Sequence, residues 1–467
     1  MAAQANPFLQ GNYVPVASEL THFDLAVEGR LPLALSGTYV RTGPNALTIP
    51  DPATHHWFIG AGMLHGVALC DGKAQWYKAR WIEPPEADVD LPPASIAAVA
   101  CGSGNGSVFL HGGRIYVAND QALPCEIDTT LAAIGVRDFH GRLKIGMNSH
   151  PKVDPFDGSL HTLGYDFEHA QLRYNAFDRH GTPLASATID VQRPIMVHEL
   201  LITRRHLVFL DLPVALDMEA AFADEPLPYR WHHGHQARIG IAPRASPGHV
   251  EWYPIAPCFV LHGFNAYDDG NDVVIDVVRH ERMFDRCRTG PGESAPSVVR
   301  WRVLGRAGRV LEDTLDKAAQ EFPLINGAFV GSEHRYGYSI GCSHLSGSLN
   351  HFASSHVIKH DFQRGETSRL DLGDDCLVSE LSFVSAPNAR TEDDGWLVGY
   401  AYTPSEERSE LVVLAAGDLL GGAVARVAMP RRVPFGFHGA WIPNSEPSQR
   451  TIARSQPRRQ ASGPRGR

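Results

Sequence analysis

The runs GWLVGYAYT (395–403) and SELVVLAAGDL (409–419) are rich in Val, Leu, Ala and Tyr and are bounded by Gly, Asp and Pro. Such residues fit a pleated, half-buried surface, and the bounding residues turn the chain. Four more runs of this kind lie upstream: GRIYVAND (113–120), HLVFLDL (206–212), NDVVIDVVRH (271–280) and RYGYSIGC (335–342). The 44 glycines and 33 prolines supply turns between them. Long helical periodicity is scarce, and VALDMEAAFAD (214–224) is the best helix candidate. The chain therefore reads as all-β, many short strands arranged as a large barrel or a propeller. No clean repeat of about 40–50 residues separates the two.

A chain of 467 residues, 43% hydrophobic and 20% charged, has the makeup of a globular protein with a large core. Its net charge of −10 argues against broad nucleic-acid binding. No run of about 18 apolar residues predicts a membrane span. The start, MAAQANPFLQGNYVPV, lacks the charged-then-apolar pattern of a signal peptide, so a cytoplasmic location is expected. The seven cysteines form no C-x-x-C pair and read as reduced thiols. Residues 445–467 hold six arginines and almost nothing apolar. They predict a disordered basic tail behind a single domain over 1–444.

Four of the 24 histidines stand beside Gly, Pro or Asn at strand edges. They are His150 in NSHPKVDPFDG, His198 in IMVHELLITRRHLVFLD, His262 in YPIAPCFVLHGFNAYDDGN and His438 in VPFGFHGAWIP. Separations of 48, 64 and 176 residues make no local metal motif. Separate strands of a closed sheet would bring them together, because inner strand ends converge on one axis. Four neutral imidazoles without a carboxylate ligand suit a borderline metal: iron, copper or zinc. Ligating rings also need partners, usually carboxylates, on their second nitrogen. On composition alone, a lone histidine at a strand edge is more often structural.

The segments HPKVDP, VHELLIT, VLHGFNAYDD and FGFHGAW occur in that order. Upstream stand NPFLQGNYVPV, VEGRLPLALSGTYVRTGPNA and HHWFIGAGMLHGVAL; EFPLINGAFVGSEHRYGYS (321–339) and SELSFVSAPNARTEDDGWLVGY (379–400) precede the last histidine. Over about residues 7–443 this order resembles the carotenoid cleavage oxygenases, which include apocarotenoid oxygenases, lignostilbene dioxygenases and the retinoid isomerase of the visual cycle. The resemblance implies a seven-bladed β-propeller with a small helical cap over one face. It implies Fe(II) on the axis, held by His150, His198, His262 and His438. It also implies three carboxylates that accept hydrogen bonds from the ligand rings. Glu321 and Glu380 match two of them. Asp120 stands where the family has glutamate, and its shorter side chain is expected to reach less well or through water. Glu126, nearby, does not align.

The implied activity is cleavage of a conjugated C=C bond of a carotenoid or apocarotenoid by O₂, giving aldehyde or ketone products. Stilbene- and phenylpropene-cleaving members carry a lysine where this chain has Asn119, and a neutral amide does not stabilise a phenolate. A stilbenoid or phenylpropene oxygenase is the alternative. An iron- or polyene-binding propeller without turnover is a second, raised by Asp120, by Ala61, which with Ile59 stands in a block where members often carry acids, and by Gly106 where many carry threonine. Gly106 is expected to widen access to the iron. The expected pocket residues are Phe58, Gly106, Asn119, Phe264 and Phe437. His232, His233 and His235 cluster but read as non-ligands. LDLPVALDMEAAF (210–222) is the expected patch for peripheral membrane contact, with Leu212, Val214, Leu216, Met218 and Phe222 on one face.

Overall fold

The computed structural model describes residues 6–83, 104–223, 225, 227–287, 293–342 and 353–444. The basic segment 445–467 and Cys101 lie outside these residues. Seven antiparallel sheets of four or five strands and one two-stranded ribbon make up the strand structure among them. Each of the six runs named above contains a strand, for example Asp272–Arg279 and Gly395–Thr403.

The sheets are the blades of a propeller. In chain order, blades 1 to 6 begin with Ser107–His111, Lys152–Val153, Leu201–Ile202, Gly263–Asp269, Gln320–Leu324 and Leu377–Ser385. The first strands of neighbouring blades touch one another from blade 3 round to blade 1, so they ring one axis. Blade 7 closes the ring with both ends of the chain. Its inner strand is the C-terminal Gly439–Pro443, paired antiparallel with Gly37–Pro44 from the N-terminal region. A second clasp places Val27–Gly29 on the outer edge of blade 6. Two interlocks of this kind remove the seam an open ring of sheets would leave.

Burial follows position within a blade. Asp272–Arg279 (DVVIDVVR) is a second strand, packed on both faces, and six of its eight residues are buried. The outer strand Pro183–Asp190 (PLASATID) alternates between half-buried and exposed along most of its length. The outer strand Arg309–Asp316 carries charge on an exposed edge, which blunts edge-to-edge pairing. Trp301, Tyr338, Phe284 and Phe259 anchor the largest apolar cluster between blades.

Helix is minor among the described residues: Met218–Phe222 and a few 3-10 turns. The helix expected over 214–224 is shorter than its pattern suggested. Val214–Leu216 is instead a strand paired with Tyr229–Trp231, and Asp217 caps the helix through a bond from the Ala220 amide. This corrects the expected face over 212–222. Leu212 and Val214 are core residues, Leu216 packs against the core, and only Met218 and Phe222 are exposed. No described helix is long and apolar enough to cross a membrane.

Candidate metal centre

The four histidines sit at the inner ends of four blades. His262 directly precedes the first strand of blade 4, and His438 directly precedes the inner strand of blade 7. His150 and His198 lie two and three residues ahead of the first strands of blades 2 and 3. Convergence follows from topology, because the first strands of the blades ring one axis and each of these histidines stands just ahead of such a strand. One nitrogen from each ring lies within 4.8 Å of the others, the only such group among the described residues. His232, His233 and His235 are elsewhere: His233 pairs with Asp285 and His235 with Asp211.

Each of three rings donates its Nδ1 proton to one carboxylate. His198 meets Asp120 at 2.6 Å, His262 meets Glu321 at 2.7 Å, and His438 meets Glu380 at 2.6 Å. The three carboxylates come from blades 1, 5 and 6. The shorter Asp120 thus reaches its ring directly, contrary to the expected weak or water-bridged contact. Its other oxygen accepts from the Ser149 amide at 2.7 Å. Glu126 instead pairs with Arg114 and Arg137.

Irregular backbone aims these side chains. Strand register shifts occur beside His262 (Gly263/Asn265), at Glu321/Leu324 and around Glu380 (Val378/Leu381). A bulge re-aims side chains at such a point. Phe322 holds φ of 52°, a left-handed conformation that strains a bulky residue. Its amide bonds Glu321 Oε2 at 2.7 Å, and its ring stacks on His262 at 5.6 Å. The glycines around His438 serve close packing: a Cβ at Gly436 would lie 2.7 Å from Arg41 Nε, and one at Gly439 would lie 2.8 Å from the Tyr39 hydroxyl.

Burial is the largest influence on the ionisation of His150, His198, His262, Asp120 and Glu321. It holds His150 well below the usual imidazole range, and the neighbouring rings push it further down. His262 is also lowered, burial outweighing Glu321. At His198 burial is overcome by Asp120, and the ring is raised. Glu321 and Asp120 are lowered despite burial, each held ionised by its histidine. Glu321 has a second imidazole partner, His280, whose Nε2 donates to Oε1 at 2.8 Å.

This donor set fits a metal ion. With Nδ1 committed to Glu321, the Nε2 of His262 is buried and has no hydrogen-bond partner. The Nε2 atoms of His150 and His438 are 3.0 Å apart. Two imidazole nitrogens this close could be taken up by one shared ion.

A cavity opens onto His198, His262 and His438. Phe58, Met196, Leu261, Phe322 and Phe437 form its apolar wall, and Asn105, Gly106, Asn119, Asp120 and Ser149 its polar side. Of the expected pocket residues, Phe58, Gly106, Asn119 and Phe437 line this cavity. Phe264 does not: beyond the bulge its side chain packs with Val278, Val298 and Ile325. Nor does Gly106 widen access. A Cβ there would fall 2.4 Å from Ser149 Oγ, so the serine fills the space.

The family model for retinal pigment epithelial membrane protein matches residues 13–443. A carotenoid cleavage oxygenase of Mycobacterium tuberculosis is 36% identical, the alignment covering 95% of this chain and 99% of that one. This chain belongs to the carotenoid cleavage oxygenase family. A carotenoid 9,10(9',10')-cleavage dioxygenase of Arabidopsis thaliana is 26% identical over 95% of this chain and 91% of its own. The lignostilbene dioxygenase of Pseudomonas brassicacearum superposes with a TM-score of 0.84 at 24% identity, covering 94% of this chain and 98% of that one, and shares the propeller. Family membership makes the chain an oxygenase, and its four-histidine cluster fits a metal site.

Sequence reasoning missed Asn105, Ser149, Met196, Leu261 and Phe322 at the cavity, and His280 behind Glu321. Adjacency was the available signal: Ser149 precedes His150, Leu261 precedes His262, and Phe322 follows Glu321.

Proposed function

We propose that the protein is an Fe(II) dioxygenase that cleaves a conjugated C=C bond of a carotenoid or apocarotenoid with O₂, giving aldehyde or ketone products. The observation that carries this reading is the all-imidazole cluster beneath an apolar cavity. His150, His198, His262 and His438 would hold the iron. Bound Fe(II) would supply the redox chemistry that lets O₂ react with an alkene. Asp120, Glu321 and Glu380 orient the rings and raise their basicity through Nδ1. The aromatic wall binds an apolar chain and excludes water. Among the described residues the cavity lining contains no Lys or Arg, which supports a polyene over a phenolate. The relatives named for carotenoid cleavage support the same substrate class.

Peripheral contact with a bilayer is part of this reading, since a polyene partitions into membranes. It is supported by Phe222, 82% exposed, and Met218, 49% exposed, on one short helix.

The test of the iron site is metal analysis of purified protein beside His262→Ala and His438→Ala. One Fe(II) per chain is expected, lost with activity in either variant. Wild-type iron content in both variants would overturn the ligand assignment.

A further inference from the structure

Glu199 follows His198 directly and is 2% exposed, yet it is not one of the carboxylates on the ligand rings. Its Oε1 accepts from Lys152 Nζ at 2.7 Å and from the Leu200 amide at 3.0 Å. Its Oε2 accepts from the Gly263 amide at 2.9 Å. Its backbone forms an isolated parallel bridge with His150. Lys152 lies two residues after His150, and Gly263 directly after His262. One carboxylate therefore ties together the segments that carry three of the four imidazoles, across blades 2, 3 and 4.

Blades 2 and 3 need such a tie. Their first strands, Lys152–Val153 and Leu201–Ile202, are two residues each, so little backbone ladder fixes their inner ends. The approach of blade 4 is close as well: a Cβ on Gly263 would sit 3.0 Å from Leu201 Cδ2. The bond to the Gly263 amide thus spans a junction where the chain next to His262 lies against blade 3. A buried carboxylate is costly unless its lone pairs are met, and here one side chain and two backbone donors meet them.

We propose that Glu199 is a positioning residue for the metal centre: through Lys152 and the Gly263 amide it fixes the relative places of His150, His198 and His262, and so sets metal affinity and coordination symmetry. This rests on the four histidines being metal ligands. It assigns Glu199 no contact with metal or substrate.

The experiment uses Co(II) as probe on the full chain. Affinity is read by chelator competition, coordination by the visible absorption of bound Co(II), and fold by the thermal midpoint. Glu199→Leu keeps bulk but removes both acceptors. Its Co(II) affinity should fall by about tenfold or more, with a changed absorption envelope. Glu199→Gln keeps an acceptor for the Gly263 amide and loses the attraction to Lys152. It should restore much of the affinity, with a smaller spectral change. Lys152→Met should resemble Glu199→Gln. A Glu199→Leu protein with a lowered thermal midpoint but wild-type Co(II) affinity and spectrum would make the residue merely structural and overturn the proposal. Should Glu199→Leu not fold, the other two variants decide: wild-type affinity and spectrum in both would overturn it equally. A wild type that takes up no Co(II) removes the four-histidine reading, and this proposal with it; binding that is unchanged in the variants removes this proposal alone.

Discussion

The carboxylate of Asp120 meets Nδ1 of His198 at 2.6 Å while its other oxygen holds the amide of Ser149, the residue before His150. One short side chain in blade 1 thereby orients a ring from blade 3 and braces the segment that carries the ring from blade 2. Asp120→Asn should lower metal affinity about 10- to 100-fold, because it keeps the shape and loses the charge. Asp120→Glu should not improve on the wild type. The contact is already short, and an extra methylene in a filled site costs about 1–3 kcal/mol. Chelator competition and urea unfolding check both; tighter metal binding by Asp120→Glu would show that the aspartate reaches poorly after all.

Gly106→Ala should destabilise the protein by about 1–3 kcal/mol. The new methyl carbon would lie 2.4 Å from Ser149 Oγ and 2.9 Å from the Ala118 carbonyl oxygen. Gly106→Ala with Ser149→Gly should recover part of the loss, since the serine contacts disappear and the carbonyl remains. Additive effects in a double-mutant cycle would show that the two residues do not share this space.

Stability should fall with acid below neutrality. Burial is the chief cause that lowers His334 and His360 to about 4, with Arg300 and Arg369 respectively adding to it. Above pH about 6.5 both are neutral, folded or unfolded, and contribute no pH dependence. Between about 6.5 and 4 the unfolded chain binds protons that the folded chain refuses. Stability therefore drops as pH falls through that window, by up to about 3 kcal/mol per group. Urea midpoints at pH 7 and pH 5 measure this. His360→Gln should flatten the dependence by about one proton, and an unaltered slope would contradict the assignment.

Met218→Asp with Phe222→Asp should leave the fold intact, because exposed substitutions usually shift stability by no more than about 0.5 kcal/mol. The same pair should reduce co-sedimentation with liposomes and the cleavage of membrane-embedded polyene. Undiminished binding and turnover would exclude this helix as the contact patch.

The propeller's strands were legible because blade strands such as Asp272–Arg279 are short apolar runs punctuated by turns. The blade number was not, since the blades share no sequence repeat and came only through resemblance. The four histidines stood out by their Gly, Pro and Asn neighbours, but what gathers them is topology. Phe264 was misplaced because the bulge between Gly263 and Asn265 shifts the register that spacing from His262 suggests. The 212–222 face failed for a related reason. Leu212, Val214, Leu216 and Met218 are spaced by two, which is the period of a strand, and a strand buries Val214 in the core. The left-handed Phe322 and the partners of Glu199 had no sequence signal. Backbone strain is silent in composition, and Lys152 and Gly263 are distant in the chain.

The most direct test of the central claim is mass spectrometry of the products formed by the Fe(II)-loaded protein with O₂ and a panel of carotenoids, apocarotenals and hydroxystilbenes. The account predicts two carbonyl fragments from a polyene, their masses together equal to substrate plus both atoms of O₂. It predicts no such products from His262→Ala, and far less from the stilbenes. Intact polyenes from a protein carrying one Fe(II) per chain, or cleavage confined to the stilbenes, would contradict it.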